Sequence, residues 1–115
     1  MNNFTIDADQ DGDAATVVVV GELDMYTAPR LRESLVELAT KGALLVTVDL
    51  AGVNFVDSTA LGVLVGGLKR LRQSDGDLVL RGPRPGALKV LEMTGLTRVF
   101  TITPAAVPAP ALPPD

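Results

Sequence analysis

The chain has 115 residues, about the length of one domain, so a second independent core is not expected. It contains no Cys, His or Trp, which excludes thiolate catalysis, a Ser–His–Asp triad, a histidine-ligated metal site and a disulfide framework. Ten basic residues stand against 14 acidic ones, and the net charge of -4 is poorly suited to general nucleic-acid binding. These values favour a binding or switching module over an enzyme.

The sequence predicts neither export nor insertion into a membrane. Its first ten residues lack a basic segment followed by an apolar run, so no signal peptide is predicted. The longest apolar run covers residues 60–68, whereas a membrane-spanning helix needs about 20 residues. We therefore expect a cytoplasmic protein without a membrane partner.

The N-terminal 21 residues predict a β-hairpin. Residues 4–7 alternate between apolar and polar, residues 16–20 are β-branched, and the pair Asp11-Gly12 between them is a turn signal. A calcium-binding loop would require a glutamate where Val18 stands. We interpret the aspartates at alternate positions as solvated charges of an edge strand: Asp7, Asp9, Asp11 and Asp13.

A helix and a central strand are predicted next. Thr27 is expected to cap the helix and Pro29 to lie in its first turn. Apolar residues three and four apart form one face, and Gly42 ends the helix: Ala28, Leu31, Leu35 and Leu38. The nearly continuous apolar segment 43–50 predicts a strand buried on both faces, followed by a loop over residues 51–57.

The second half of the chain predicts alternating helices and strands. A helix from about Ser58 to Gln73 has a basic C-terminal half, and its glycines at positions 62, 66 and 67 favour close approach to the sheet or to a partner. The remaining elements are a strand at 78–80, a helix at 85–94 closed by Gly95, and a strand at 99–103. The order β-β-α-β-α-β-α-β predicts an α/β fold, a single domain with a mixed β-sheet, an N-terminal hairpin and helices packed on it.

The C-terminal segment has a different composition. Residues 104–115 contain five of the eight prolines, which excludes a regular helix or strand ladder. We expect a domain over residues 1–103 and a Pro/Ala-rich flexible tail over 104–115. A ligand for a proline-binding groove is the alternative for this tail.

The most informative stretch covers residues 53–62, where a central strand delivers Asp57, Ser58 and Thr59 to the start of a helix. Loops beyond the carboxyl ends of such strands bind ligands and partners. Ser58 is open to two interpretations. It can cap the helix, or it can accept a phosphate that the helix N-terminus would stabilise. Such a phosphate adds about two negative charges beside Asp57 and would expel a partner without matching cations.

Two motifs carry a family resemblance. GELDMYTAPRLRESL at residues 21–35 and VTVDLAGVNFVDSTALGVLVGGLKRLR at 46–72 resemble the STAS domain family, specifically the bacterial anti-sigma factor antagonists, over about residues 4–103. The resemblance implies that Ser58, or alternatively Thr59, is phosphorylated by an anti-sigma factor with serine kinase activity. It also implies a phosphatase acting on phosphorylated Ser58. The implied partner-binding residues are Asp24, Thr27, Asp57, Ser58, Thr59, Leu61 and Gly62.

The resemblance further implies a partner switch without cofactor, metal or direct nucleic-acid contact. The unphosphorylated protein binds the anti-sigma factor and so frees a sigma factor for transcription, whereas phosphorylation ends the binding. Ala60 stands where the family usually has glycine, and we expect its methyl group at the docking surface.

Two other functions are weighed against this switch. One is a non-phosphorylated STAS scaffold subunit of a stress-sensing or transport complex. The other is an enzyme that would use Asp24 and Asp57 as acid and base in a deep pocket. The hydroxyls of Ser58 and Thr59 favour the switch, because a scaffold does not need them.

Overall fold

Within residues 4–106, which the computed structural model describes, five strands and three helices follow one another in the predicted order. The α/β fold and the order β-β-α-β-α-β-α-β are therefore confirmed. A short 3-10 helix precedes the last strand. The elements are β1 (Thr5–Asp11), β2 (Ala14–Leu23), α1 (Ala28–Thr40), β3 (Leu45–Val56), α2 (Ser58–Arg72), β4 (Asp77–Arg81), α3 (Pro85–Met93), the 3-10 helix (Leu96–Arg98) and β5 (Thr101–Thr103).

The sheet is mixed and its strands lie in sequence order, β1-β2-β3-β4-β5, so that β3 is central as predicted. Strand β1 pairs antiparallel with β2, and the other neighbours are parallel. The hairpin closes where Asp11 pairs with Ala14, and Gly12 has the positive φ of 64° that the turn requires. The four hairpin aspartates are all exposed, as expected of solvated charges on an edge strand.

Helix α1 shows why the apolar spacing predicts a helix. Its four predicted apolar residues are all buried against the sheet and α2. Beyond the last turn, Gly42 has a φ of 91° and its N–H donates to the Ala39 carbonyl, while the Ala43 N–H donates to the Leu38 carbonyl. This is a left-handed glycine cap, so the predicted helix end is confirmed.

The predicted loop over residues 51–57 is wrong, because β3 continues to Val56. Strand β2 is also longer than expected and offers partners along this stretch, so that Gly21 pairs with Val53 and Leu23 with Val56. The pairing shifts register beside Gly52, where an added Cβ would lie 3.0 Å from Val20 Cγ2. The extension carries β3 directly to Asp57 and leaves no flexible connection before α2.

The prediction that β3 is buried on both faces is also wrong. Val46, Val48 and Leu50 enter the core, whereas Thr47 and Asp49 on the other face are only partly buried. Asp49 accepts from the Arg81 guanidinium of β4, with an Nη2–Oδ2 distance of 2.9 Å. The nearly apolar segment therefore buries one face in the core and carries a charged pair on the other.

The C-terminal elements are shorter than predicted. Helix α3 ends at Met93, and Gly95 with a φ of 76° follows its cap. The strand expected from Val99 begins at Thr101, because the N–H groups of Val99 and Phe100 donate to the Leu96 carbonyl in the turn that closes the 3-10 helix. Residues 104–106 lie outside helices and strands, and the rest of the predicted tail, 107–115, lies outside the described residues. The described helices are all too short or too polar to cross a bilayer.

Candidate functional site

Helix α2 begins immediately after β3, and its cap is Asp57. Asp57 has extended backbone angles, and its Oδ1 accepts from the Ala60 N–H at 3.0 Å. Its carbonyl oxygen accepts from the Leu61 N–H at 3.1 Å. Ser58 is already the first helical residue, one position past the place where a cap must lie. The interpretation of Ser58 as the helix cap is therefore wrong, and Asp57 fulfils that role.

Because Asp57 caps α2, the Ser58 hydroxyl is not engaged in capping the helix. Ser58 and Thr59 are both exposed, and within residues 4–106 neither side chain forms a hydrogen bond. Their backbone N–H groups lie in the first helical turn, where no carbonyl of the same helix can accept from them. A phosphoryl group on Ser58 would meet these donors and the positive end of the helix dipole.

The turn between β2 and α1 is held by its own side chains. Asp24 Oδ1 accepts from the Tyr26 N–H at 2.9 Å and the Thr27 N–H at 3.0 Å. Thr27 Oγ1 donates to the Glu22 carbonyl at 2.7 Å and accepts from the Asp24 N–H at 2.9 Å. Thr27 occupies the predicted cap position, but its hydroxyl bonds backwards to the end of β2 and to none of the N–H groups of α1. The predicted side-chain cap is therefore wrong.

The turn and the start of α2 are neighbours at one edge of the sheet. Leu23 and Val56 are paired at the ends of two parallel strands, and the Asp57 N–H donates to the Leu23 carbonyl at 3.0 Å. The carboxyl ends of parallel strands meet at one edge, so the two motifs converge as the fold prediction requires. Asp24 and Asp57 each follow one of these strands directly.

The predicted partner-binding residues divide by exposure. Ser58, Thr59 and Gly62 are exposed, and Asp24 and Asp57 are partly exposed. In contrast, the side chains of two others are buried and cannot touch a partner docked on this fold: Thr27 and Leu61. These two can act only by positioning their neighbours.

Three residues that the sequence prediction missed lie within the two motifs. Met25 and Tyr26 are the exposed residues of the turn, with Tyr26 80% accessible, and Phe55 is 50% accessible near the end of β3. A small domain usually buries side chains of this size, and exposed ones mark interaction surfaces. The sequence signal was available, since all three are part of the recognised motifs.

The expectation that Ala60 places a methyl group on the docking surface is wrong. Ala60 is fully buried, as part of the same core that contains Leu61 and Leu64. Its position three residues after the cap turns it towards the sheet. Ala60 therefore contributes to packing, and the surface around Ser58 keeps the shape it would have with glycine.

The geometry gives the two aspartates roles in the fold. Asp24 and Asp57 both accept hydrogen bonds from the backbone of the turn that follows them. A groove of about 390 Å³ between α1 and α2, called the α1–α2 groove below, has no carboxylate among its lining side chains. Residues that line it include Arg32, Val36, Thr59, Gly62, Gly66 and Arg70. The arrangement favours binding over acid–base chemistry.

Comparison with known proteins identifies the family. The sequence pattern of the STAS domain matches residues 5–107, and the chain belongs to the STAS domain family. It is 39% identical over 94 residues to the anti-sigma-B factor antagonist of Listeria monocytogenes, covering 82% of each chain. It is 38% identical over 101 residues to that of Bacillus subtilis, covering 88% of this chain and 92% of the relative.

A solved structure shares the fold. The unphosphorylated anti-sigma factor antagonist SpoIIAA superimposes with a TM-score of 0.78 at 20% identity, covering 90% of this chain and 88% of that chain. The match to the STAS domain and the identity to the two relatives confirm the family resemblance drawn from the two motifs.

Proposed function

We propose that this protein is an anti-sigma factor antagonist that is switched off by phosphorylation of Ser58. The observation that carries the proposal is the exposed Ser58 hydroxyl at the first residue of α2, with the cap role taken by Asp57. A hydroxyl that caps a helix is engaged by the backbone, whereas this one is available to a kinase. The names of the relatives support the class of partner, an anti-sigma factor.

The partner docks on a surface at the ends of β2 and β3, called the switch surface below. It combines exposed apolar side chains with the two hydroxyls: Met25, Tyr26, Phe55, Ser58 and Thr59. Large aromatic side chains that become buried supply much of the binding energy in interfaces. The bonded turn that holds Tyr26 reduces the entropy lost on binding.

The partner is also the kinase in this proposal. Ser58 Oγ attacks the γ-phosphorus of ATP bound to the anti-sigma factor, and the bond from that phosphorus to the bridging oxygen of ADP breaks. ADP leaves, and the hydroxyl proton goes to a base of the kinase or to water. The product carries about two additional negative charges beside Asp57. These charges disfavour the complex, while the free N–H groups of the first helical turn keep the fold intact.

The cycle closes when a phosphatase hydrolyses the Ser58 phosphate with water. In the unphosphorylated form the protein holds the anti-sigma factor in the cytoplasm and leaves the sigma factor free for transcription. The chain is then a substrate and a regulator in this cycle and performs no catalysis itself.

The decisive experiment isolates the tagged full chain from its host as wild type, Ser58→Ala and Ser58→Asp. We expect an anti-sigma factor to co-purify with Ser58→Ala in the presence of ATP, and to be lost from Ser58→Asp although its circular dichroism spectrum stays native. Intact mass and peptide mapping should show a wild-type fraction heavier by about 80 Da at Ser58.

Thr59→Ala is the matched control, because Thr59 is also exposed at the helix start. Ser58 should still be phosphorylated in this variant, and the readout is the site of the phosphate, because Thr59 itself belongs to the switch surface. Phosphate mapped to Thr59 alone would move the switch by one residue. Absence of phosphate under all growth conditions, with a constant stoichiometric partner, would instead favour the scaffold function.

A further inference from the structure

The α1–α2 groove is a feature of the fold that the phosphorylation switch does not explain. Its α2 residues recur three and four positions apart from Thr59 to Arg70, so it follows the helix for about three turns. Thr59 at one end is next to Ser58, and the groove is therefore continuous with the switch surface. A partner docked at Ser58 can extend along it.

Two glycines of α2 leave space in the groove because they lack side chains. Gly62 and Gly66 lie four residues apart, and no atom lies within 4 Å of the position that a Cβ would take at either. Neither has a positive φ, so the backbone does not require glycine there. Gly67 differs, because its Cβ would lie 2.8 Å from Leu35 Cδ1, so α1 packs closely against α2 at that position. Gly62 and Gly66 thus leave space on the outer side, at a cost in helix propensity.

The groove is also positively charged. Arg32 of α1 and Arg70 of α2 line it, and within residues 4–106 neither forms an ion pair, whereas Arg72 and Arg81 do. The two guanidinium groups share one groove that has no carboxylate among its lining side chains. Guanidinium groups bind carboxylates in a bidentate geometry, so charge complementarity calls for an acidic occupant.

We propose that the α1–α2 groove receives an acidic amphipathic helix of the same anti-sigma factor. Its apolar side chains pack over the two glycines and against Val36 and Val63, and its carboxylates pair with the two arginines. The side-chain ridges of one helix pack into such a groove on the surface of another helix. The identity of the partner rests on the proposed function, whereas the groove itself is defined by its own shape and charge.

The first test fills the space over Gly66 in the α1–α2 groove. In titration calorimetry with the purified anti-sigma factor that co-purifies with the full chain, Gly66→Leu should raise the Kd by at least about tenfold. Its melting temperature should stay equal or rise, because leucine favours a helix more than glycine does. The matched control is Gly86→Leu in α3, where an added side chain also meets open space, and its Kd should equal that of the wild type.

The second test reverses the charge. Arg32→Glu with Arg70→Glu should raise the Kd by at least about tenfold and flatten its dependence on salt. The control is Arg84→Glu with Arg98→Glu, which changes the net charge equally at exposed arginines outside the groove. The control pair should weaken binding far less.

The outcomes separate the two proposals. If both groove variants bind like the wild type while Ser58→Asp loses binding, the groove proposal is wrong and the proposed function stands. If the wild type binds no anti-sigma factor, both fail. If ATP or inorganic phosphate alone shifts the NMR signals of Arg32 and Arg70, and the variants keep partner affinity, the groove binds a small anion and the helix is excluded.

Discussion

The two strand-to-helix turns at this edge of the sheet are built alike but present different side chains. In residues 24–27 and again in residues 57–60, an aspartate follows a strand and accepts from the N–H three residues later. The next two residues are exposed and the fourth is buried. The exposed pair is Met-Tyr in the first turn and Ser-Thr in the second. The same backbone arrangement therefore exposes two large side chains in one turn and two hydroxyls in the other.

The two turns differ most at the buried fourth position. Thr27 there forms hydrogen bonds to the end of β2, whereas Ala60 packs in the core and uses no polar group. The first turn is closed by its side chains, and the second is held by packing and one cap. This difference teaches that side-chain hydrogen bonds fix the turn that carries Met25 and Tyr26, whereas the Ser58 and Thr59 side chains form no hydrogen bond within residues 4–106.

The largest expected effect follows from opening the first turn. Thr27→Val removes the hydroxyl that serves the Glu22 carbonyl and the Asp24 N–H, and it should lower the free energy of unfolding by about 2 kcal/mol. Urea unfolding at neutral pH measures it. Thr59→Val is the control, since Thr59 is exposed and should change stability by less than about 0.5 kcal/mol. Equal stabilities of the two variants would contradict the closed turn.

Ala60→Gly tests the packed fourth position of the second turn. Returning to the glycine that the resemblance implies removes a buried methyl group and lowers helix propensity, so we expect a loss of about 1.5 kcal/mol in urea unfolding. Gly62→Ala, two residues further on and exposed, should have the opposite sign and stabilise by about 1 kcal/mol. Partner affinity should not change in Ala60→Gly. A changed affinity with unchanged stability would return Ala60 to the docking surface.

The sequence located the start of α2 but did not identify the residue that caps it, for a physical reason. A central apolar strand followed by small polar residues and a helix can be recognised from hydrophobic pattern and cap preferences. The same preferences did not distinguish Asp57 from Ser58 as cap, because both residue types are good caps and the choice depends on where β3 ends. The extension of β3 to Val56 depends on pairing with the equally extended β2, a non-local effect.

The side-chain directions were harder to predict than the elements. The position of Thr27 before α1 predicts a side-chain cap. Its hydroxyl instead donates to the Glu22 carbonyl at the end of β2. The local sequence also gives no signal for the groove arginines, because Arg32 and Arg70 line the same groove only when α1 packs on α2. Local propensity therefore located the site, and tertiary packing decided which of its residues face outwards.

The smallest expected change in unfolding free energy distinguishes most directly between Asp57 and Ser58 as the cap of α2. Asp57→Ala removes the carboxylate that accepts from the Ala60 N–H and should cost about 1 kcal/mol of unfolding free energy. Ser58→Ala removes an exposed hydroxyl and should change that energy by less than about 0.5 kcal/mol. Urea unfolding of the two variants side by side separates cap from phosphoacceptor. If Ser58→Ala cost as much as Asp57→Ala, the Ser58 hydroxyl would be engaged by the fold, and a kinase would have to break that bond before phosphorylating it.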